Sequence, residues 1–284
     1  MLDLAFTVAC SLATAMLLKV VEVRRLDRAA VLAGNYVVAA AIAVALSGGA
    51  AASLPTEAVV LGLVVGALFF GGYYVFGVAI ARAGVGLATG VMRLSVAVPV
   101  LGSWVLFSEM PSSMQGVGLF LAGAAFVLMA RSSDDASAGG AGLRDALVLG
   151  LLFAVGGAVD LAMNVYARLF GGGADAGFLV VVFGTAAALA SAVTLTRVRA
   201  GARPGRQEAF LGLAIGLSNF GSAAFVIRAA TALPAALVFP TLSISLTAGA
   251  ALLGVLWWRE RLSRANVAGL AIAAGALALL WGGA

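Results

Sequence analysis

Ten long apolar segments follow one another along this chain, and they restrict its fold more than any other feature. A helix needs about 20 apolar residues to cross the hydrocarbon layer of a bilayer. The segments are continuous and do not alternate between apolar and polar residues, which favours helices over barrel strands. We predict an all-α integral membrane protein with transmembrane helices over residues 3–21, 29–47, 57–81, 87–107, 114–130, 145–169, 177–197, 208–228, 235–258 and 265–283.

The composition agrees with a membrane protein. Only 10% of the residues are charged and 63% are hydrophobic, with a mean hydropathy of +1.13. Soluble proteins carry roughly 25% charged residues, so a soluble fold of this chain would lack residues for its surface. The sequence pI is about 10.1, but the basic residues lie between apolar segments and form no single run. We therefore expect membrane lipids and no nucleic acid as partners.

Residue types that commonly carry catalysis are scarce. The chain has no histidine and a single cysteine, Cys10, inside an apolar segment. This excludes the most common general base and a thiol metal site. No phosphate-binding loop, hydrolase motif or dinucleotide motif occurs in a suitable context. We expect no catalytic residues, no metal, no cofactor and no enzymatic activity.

The distribution of Lys and Arg predicts the orientation in the membrane. Loops after the first, third, fifth, seventh and ninth helices hold 14 basic residues, whereas the opposite face holds only Arg168 and Arg228. Basic residues are enriched in cytoplasmic loops. We expect a multi-pass protein of the cell membrane (a bacterial inner membrane), with those odd-numbered loops in the cytoplasm and both termini outside.

The two halves of the chain resemble each other. Residues 61–71 align with residues 211–221 at 6 of 11 identical positions, and residues 108–118 align with residues 259–269. The offset between aligned residues is nearly the same in both stretches. We predict a first five-helix repeat over residues 1–131, a polar linker over 132–144 and a second repeat over 145–284. Because five is odd, the second repeat enters the membrane inverted.

Glu109 and Glu260, each followed by a short turn, a Gln or Asn and a Gly, complete this pattern. Two five-helix halves that end in this way resemble the drug/metabolite transporter superfamily, in its EamA-like ten-helix branch. The resemblance implies export or exchange of small metabolites by alternating access. It further implies a central cavity between the repeats, lined by helices 1, 3, 4, 6, 8 and 9. Many members of this branch place their termini in the cytoplasm, and the charge count of this chain departs from that.

Polar residues within the apolar segments are the candidates for a substrate site. A charge within the bilayer costs at least ~2.5 kcal/mol on insertion scales, so a functional role is the default interpretation of such residues. Asp160 lies near the middle of the sixth predicted helix, Asn164 lies one turn later on the same face, and Arg93 lies within the fourth helix. These residues either bind a substrate or a coupling cation, or Asp160 and Arg93 pair with each other, or Arg93 extends to the near membrane interface. If both charges face the cavity, a zwitterionic amino acid would satisfy both.

A second group of residues lies on helices that the resemblance assigns to the cavity. Aromatic rings can stack on a flat apolar group, and polar side chains either bind solute or bridge helices. This group consists of Phe70, Tyr73, Tyr74, Asn219, Thr241 and Ser243. Pro240 indicates a loosened helix beside the last two.

Glu109 and Glu260 are expected to be structural, because each lies where its carboxylate can approach the N-terminus of the next helix and fix the hairpin. The sequence as a whole predicts a monomeric secondary transporter of small metabolites, with amino acids or other amphipathic organic solutes as candidate substrates. The alternatives are a flippase for a lipid-linked head group, a membrane enzyme, and a scaffold or receptor that transports nothing.

Overall fold

The computed structural model describes residues 2–131, 143–259 and 263–284. The described residues form eleven α-helices, with a short 3-10 helix (Ala50–Ser53) between the second and the third. The α-helices are α1 (Leu2–Val23), α2 (Arg28–Ser47), α3 (Thr56–Ala83), α4 (Val85–Leu94), α5 (Ala97–Phe107), α6 (Ser113–Arg131), α7 (Leu143–Phe170), α8 (Asp175–Arg199), α9 (Arg206–Ala232), α10 (Ala235–Trp258) and α11 (Arg264–Gly282).

Ten helical spans in the described residues are long and apolar enough to cross a membrane. This confirms the predicted all-α class and the multi-pass membrane protein. The helix ends agree with the prediction to within a few residues. Most of the predicted linker, over residues 132–142, lies outside the described residues. Residues 143 and 144, which the sequence prediction placed in the linker, are the first residues of α7.

The fourth span, Leu87–Phe107, differs from the prediction because it consists of two helices, α4 and α5. Ser95 and Val96 separate them, and the amide of Val98 donates to the carbonyl of Ser95 at 2.9 Å, three residues back. Pro99 explains the break, since a proline has no amide hydrogen to donate and its ring crowds the carbonyl four residues earlier. The chain therefore tightens locally to the shorter hydrogen-bond spacing.

The chain divides into two compact units. The first, unit 1, comprises Met1–Phe70 and Tyr166–Ala232, and so contains α1, α2, α8, α9 and parts of α3 and α7. In this unit α2 packs against α8 and α9, and α1 packs against α9. Its buried centre is aromatic: the rings of Tyr166 and Phe178 stack with centroids 3.7 Å apart.

The second, unit 2, comprises Gly71–Val165 and Leu233–Ala284. Here α6 packs along α11, α4 packs on α6, and α10 contacts both α5 and α11. Small residues fill its core, and Ala122, Ala125, Ala273 and Ala276 are almost completely buried. Each unit combines segments from both predicted repeats, because the units follow packing whereas the repeats follow sequence similarity.

Glycines allow close contacts between helix backbones in unit 1. A Cβ atom at Gly66 of α3 would overlap the carbonyl oxygen of Val182 of α8, and one at Gly216 of α9 would lie 2.6 Å from the carbonyl oxygen of Asn35 of α2. Gly62 and Gly212, one turn earlier on α3 and α9, are similarly confined. These are small-xxx-small pairs, and the structure shows their packing role.

We predict that Gly66→Ala lowers the free energy of unfolding in detergent by about 1–3 kcal/mol, because a methyl group there forces α3 and α8 apart. Gly184→Ala on α8 is the matched control, since nothing lies within 4 Å of a Cβ atom at that position. The control should be neutral or stabilising by up to about 1 kcal/mol, from the helix propensity of alanine. Equal effects of the two substitutions on denaturant midpoints would contradict this account.

Candidate functional site

The break in the fourth span places Arg93 at the end of α4, one residue before Leu94 ends the helix. The side chain is partly buried within unit 2. Non-helical backbone at membrane depth is tolerated where it is enclosed by protein or lines a cavity. The break and Arg93 therefore make this position a candidate site among the described residues.

Two glycines of α7 bring that helix against the break. A Cβ atom at Gly156 would lie 2.9 Å from Oγ of Ser95, and one at Gly157 would lie 2.5 Å from Cβ of Val98. Asp160 follows Gly156 by one helical turn and so lies on the same face of α7. The packing of α7 against the break thus brings Asp160 towards the end of α4.

Arg93 and Asp160, whose relation the sequence left open, lie close enough for their charges to attract each other. The Nε atom of Arg93 is buried and has no hydrogen-bond partner among the described residues. The guanidinium thus retains an unused donor within electrostatic range of a carboxylate. A pair of this kind can hold a ligand that carries both an acceptor and a donor.

Asn164 lies one turn after Asp160 and is completely buried. Its Nδ2 atom donates to Oγ of Ser103 on α5 at 2.6 Å, while its Oδ1 atom has no partner among the described residues. The carbonyl oxygen is a second buried acceptor one helical turn from Asp160. A buried acceptor without a donor costs about 1–3 kcal/mol, which a bound ammonium or hydroxyl group would recover.

The other predicted residues of unit 2 make the following contacts. Tyr73 and Tyr74 contact each other edge to face with centroids 6.1 Å apart. Thr241 accepts a hydrogen bond from Nε1 of Trp281 at 3.2 Å, and the backbone carbonyl of Ser243 accepts one from Thr247 at 2.7 Å.

Pro240 lies inside α10 without ending it. The sequence indicated a loosened helix at this position, whereas the helix break of the structure occurs in the fourth span. Neighbouring groups can compensate for the hydrogen bond that a proline removes from a membrane helix. A proline alone therefore does not identify where such a helix breaks.

Phe70 and Asn219 belong to unit 1. Nδ2 of Asn219 donates to Oδ1 of buried Asn35 at 3.1 Å, and the neighbouring hydroxyl of Tyr36 donates to the carbonyl of Phe69 at 3.1 Å. Asn219 has thus found the partner that an amide in an apolar environment requires. In this structure it bridges α9 and α2.

Two pairs of hydroxyl groups join α1 to α9, and neither pair was predicted from the sequence. Ser11 pairs with Ser222 at 2.6 Å, and Thr14 pairs with Ser218 at 2.8 Å. The spacing of Ser218 and Ser222, one turn apart on one helix face, was the available signal. Serine and threonine also bond their own helix carbonyls, so the spacing alone does not identify a partner helix.

An apolar groove of about 600 Å³ lies elsewhere on unit 2, between α4 and α6. Leu94, Leu119 and Phe120 belong to its lining, which contains no polar side chain among the described residues. Pockets that recognise metabolites combine apolar surface with a few placed polar groups. The groove lacks these groups, and the charged cluster at Arg93 and Asp160 is the better candidate.

Glu109 lies where α5 ends, and it acts on a helix distant in sequence. Its Oε2 atom accepts a hydrogen bond from the amide of Ala235, in the first turn of α10, at 3.4 Å. The expected approach of Glu109 to the start of α6 stays a prediction; at that helix Ser112 and Gln115 form a cap with reciprocal hydrogen bonds of 3.2 and 2.9 Å. Glu260, its counterpart in the second repeat, lies outside the described residues.

We predict that Glu109→Gln lowers the free energy of unfolding by about 1 kcal/mol, because a partly buried carboxylate at the N-terminus of α10 is lost. The control is Glu22→Gln, which removes an exposed ion pair with Arg28 of 3.0 Å. Exposed pairs of that kind contribute about 0.5 kcal/mol or less. An unfolding midpoint less affected at Glu109 than at Glu22 would argue against the capping role.

We predict that Arg93→Gln and Asp160→Asn each destabilise the protein by about 1–3 kcal/mol, since each leaves the opposite charge without its attraction at membrane depth. The double variant should be less destabilised than the two single effects added together, because neither charge remains. A double-mutant cycle on thermal unfolding in detergent measures this coupling. Strict additivity would mean that the two side chains do not interact.

Comparison with known proteins identifies the fold and no family. No protein-family model matches the chain, and no curated protein is similar to it. Among solved structures, 27 chains match. One of them, a crystal structure of a protein, superposes with a TM-score of 0.73 at 20% sequence identity, over 98% of this chain and 94% of that chain. This chain therefore shares its fold with a protein of known structure along almost its whole length.

Proposed function

We propose that this protein is a secondary transporter that moves a small metabolite across the cell membrane by alternating access. The single observation that carries the proposal is the pair of opposite charges, Arg93 and Asp160, within apolar spans and beside a broken helix. Ionisable residues at such positions mark substrate and ion pathways by default. Discontinuous helices form binding sites in many transporters.

We also propose the inverted repeat, and equivalent contacts within unit 2 support it. A Cβ atom at Gly118 of α6 would lie 3.0 Å from the carbonyl oxygen of Ala276 of α11, and one at Gly269 of α11 would lie 3.2 Å from the carbonyl oxygen of Ala125 of α6. Gly118 and Gly269 are aligned positions of the two halves, and Ala125 and Ala276 are separated by the same offset. The glycine of each helix thus meets a carbonyl oxygen of the other helix. Two antiparallel helices related by a two-fold axis make contacts of this kind.

Contacts between a glycine and a carbonyl oxygen also occur at aligned positions in unit 1, between other helices. Gly66 of α3 meets the carbonyl of Val182 of α8 as Gly216 of α9 meets the carbonyl of Asn35 of α2. Gly66 and Gly216 are aligned positions of the two halves, and Asn35 and Val182 are separated by nearly the same offset. Each unit separately thus supports a pairing of equivalent helices from the two sequence halves.

The helix ends beside the two glutamates support the same repeat. Ser108 and Arg259, which are aligned positions, both have left-handed backbone conformations, with φ of 57° and 55°. Ser112 and Ser263, also aligned, both accept hydrogen bonds from the amide three residues later. This local structure accompanies the sequence pattern that resembles the EamA-like branch of the drug/metabolite transporters, to which we assign the chain as a proposal.

The chemistry of the cluster favours a zwitterionic amino acid or a similar amphipathic solute. Asp160 and the Oδ1 atom of Asn164 supply acceptors for an ammonium group, and the Nε–H of Arg93 supplies a donor for a carboxylate. The rings of Tyr73 and Tyr74 on α3 supply apolar surface in the same unit. The chain has no nucleotide motif, so the proposed driving force is a gradient of the solute or of a coupling ion.

Under this proposal the protein acts as a monomer in the cell membrane, with the odd-numbered loops in the cytoplasm. Two fused repeats already supply the pair of halves that alternating access requires. The orientation rests on the Lys and Arg count of the loops.

Counterflow in proteoliposomes tests the proposal. Vesicles preloaded with one amino acid at a time are diluted into the same labelled amino acid, and uptake is compared with empty vesicles. We expect wild-type protein to accumulate at least one amino acid. Asp160→Asn should reduce its uptake by about tenfold or more, since one lost charge-assisted contact is worth at least about 1.4 kcal/mol.

The matched control is Asp3→Asn, which removes a carboxylate at the start of α1, outside the cluster. It should transport like wild type. Equal uptake by wild type and Asp160→Asn would remove Asp160 from the site while transport stands. If correctly folded protein carries no soluble metabolite, the transport proposal is wrong, and movement of labelled lipid between leaflets in the same vesicles would identify a flippase.

A further inference from the structure

The ends of four helices meet at one end of unit 1. There the α1–α2 turn lies beside the α8–α9 loop: Arg197 pairs with Asp27 at 3.3 Å, and the hydroxyl of Thr194 donates to the carbonyl of Ala29 at 3.0 Å. Beneath them Val21 of α1 and Leu211 of α9 share one buried cluster. Two loops that are far apart in sequence therefore form one surface at the end of a helix bundle.

This surface carries a large excess of positive charge, and we call it the arginine surface. It holds eight basic and three acidic residues, an excess of five that equals the formal net charge of +5 of the whole chain. In the rest of the sequence the number of basic residues equals the number of acidic residues. The basic residues are Lys19, Arg24, Arg25, Arg28, Arg197, Arg199, Arg203 and Arg206, and the acidic residues are Glu22, Asp27 and Glu208.

The three acidic residues are already engaged. Glu22 pairs with Arg28 at 3.0 Å, Asp27 pairs with Arg197 and caps α2 through the amide of Ala29, and Glu208 accepts from the amide of Gly205 at 2.9 Å. Five exposed arginines have no ion pair within the described part of the chain. They are Arg24, Arg25, Arg199, Arg203 and Arg206.

Exposed apolar side chains lie within four residues of these arginines in the chain. Val23 at the end of α1 is 65% exposed, Leu195 near the end of α8 is 49% exposed, and Phe210 in the first turns of α9 is 69% exposed. Side chains at the ends of helices that span a bilayer lie near the boundary between headgroups and acyl chains. A surface of this kind offers guanidinium groups to headgroups and apolar side chains to the acyl chains.

We propose that the arginine surface binds anionic phospholipids of the surrounding bilayer. The shared chemistry is an anionic phosphate group, which the planar fork of a guanidinium group binds through two hydrogen bonds. Free phosphate and lipid headgroups both offer that group, and the adjacent apolar side chains favour the lipid. Clusters of four to eight basic residues beside a transmembrane helix are typical of anionic lipid binding.

Lipid binding at the arginine surface does not depend on the transport function or on the orientation of the chain. It requires only that the helices span a membrane, so that their ends lie at its surface. Both loops contribute, and neither loop alone gathers all five unpaired arginines. The sequence showed basic residues divided among loops, whereas the fold joins two of these loops into one surface.

Thermal unfolding in nanodiscs tests the proposal, with full-length protein in phosphatidylcholine alone or with added phosphatidylglycerol. We expect phosphatidylglycerol to raise the Tm of wild type by roughly 3 °C or more, because a ligand of the folded state stabilises it by mass action. High NaCl should reduce the increase, since salt screens exposed charges. The triple variant Arg199→Gln, Arg203→Gln, Arg206→Gln should lose most of it.

The matched control is the triple variant Arg144→Gln, Arg228→Gln, Arg264→Gln, which removes the same charge from elsewhere and should respond like wild type. An equal loss in both variants would show a general charge effect and overturn the proposal. It would also be overturned if inorganic phosphate in phosphatidylcholine nanodiscs raised the Tm as much as phosphatidylglycerol does. Native mass spectrometry provides a second measurement, in which wild type and control retain phosphatidylglycerol and the first triple variant does not.

Discussion

Close contact between helix backbones is the constraint on which the rest of this structure depends. Helices within a bilayer gain little from the hydrophobic effect when they associate, because lipid is as apolar as leucine. Their association relies on packing, and here on glycines that meet carbonyl oxygens: Gly66 and Gly216 in unit 1, Gly118 and Gly269 in unit 2. A similar close approach at Gly156 holds α7 against the break between α4 and α5. The charged cluster is positioned by this packing.

That cluster shows how a costly group is tolerated in an apolar protein. Pro99 prevents the normal hydrogen bond to the carbonyl four residues back, and the span breaks between α4 and α5. Arg93 lies at the end of the first half of the broken span, where Asp160 attracts it. Asn164 keeps one polar atom bonded to Ser103 and one without a partner among the described residues. The residues stabilise one another only in part, and the unsatisfied atoms are the ones that the proposed substrate would contact.

Much of the fold could be predicted from sequence, because hydrocarbon thickness alone determines how long an apolar helix must be. The ten spans and their ends follow from that requirement. The break in the fourth span was not predicted, although Pro99 was a visible signal for it. The capping of α10 by Glu109 could not be predicted, because it joins residues 126 positions apart.

For the site, Asp160, Asn164 and Arg93 stood out through the cost of polar groups in lipid. Ser103 and Asn35 did not, since only their partners distinguish them from other polar residues in membrane helices.

Under the proposed repeat, the glycine contact between α6 and α11 has the form of an isologous interface, in which the same patch is used from both sides. Separate five-helix halves with such a patch would have to find each other by diffusion in the membrane and could also pair with copies of themselves. Under the proposed repeat, one continuous chain would give each half a single partner at a high effective concentration and would fix their ratio at one to one. It would also allow each half to change independently, so that the first holds Arg93 and the second holds Asp160.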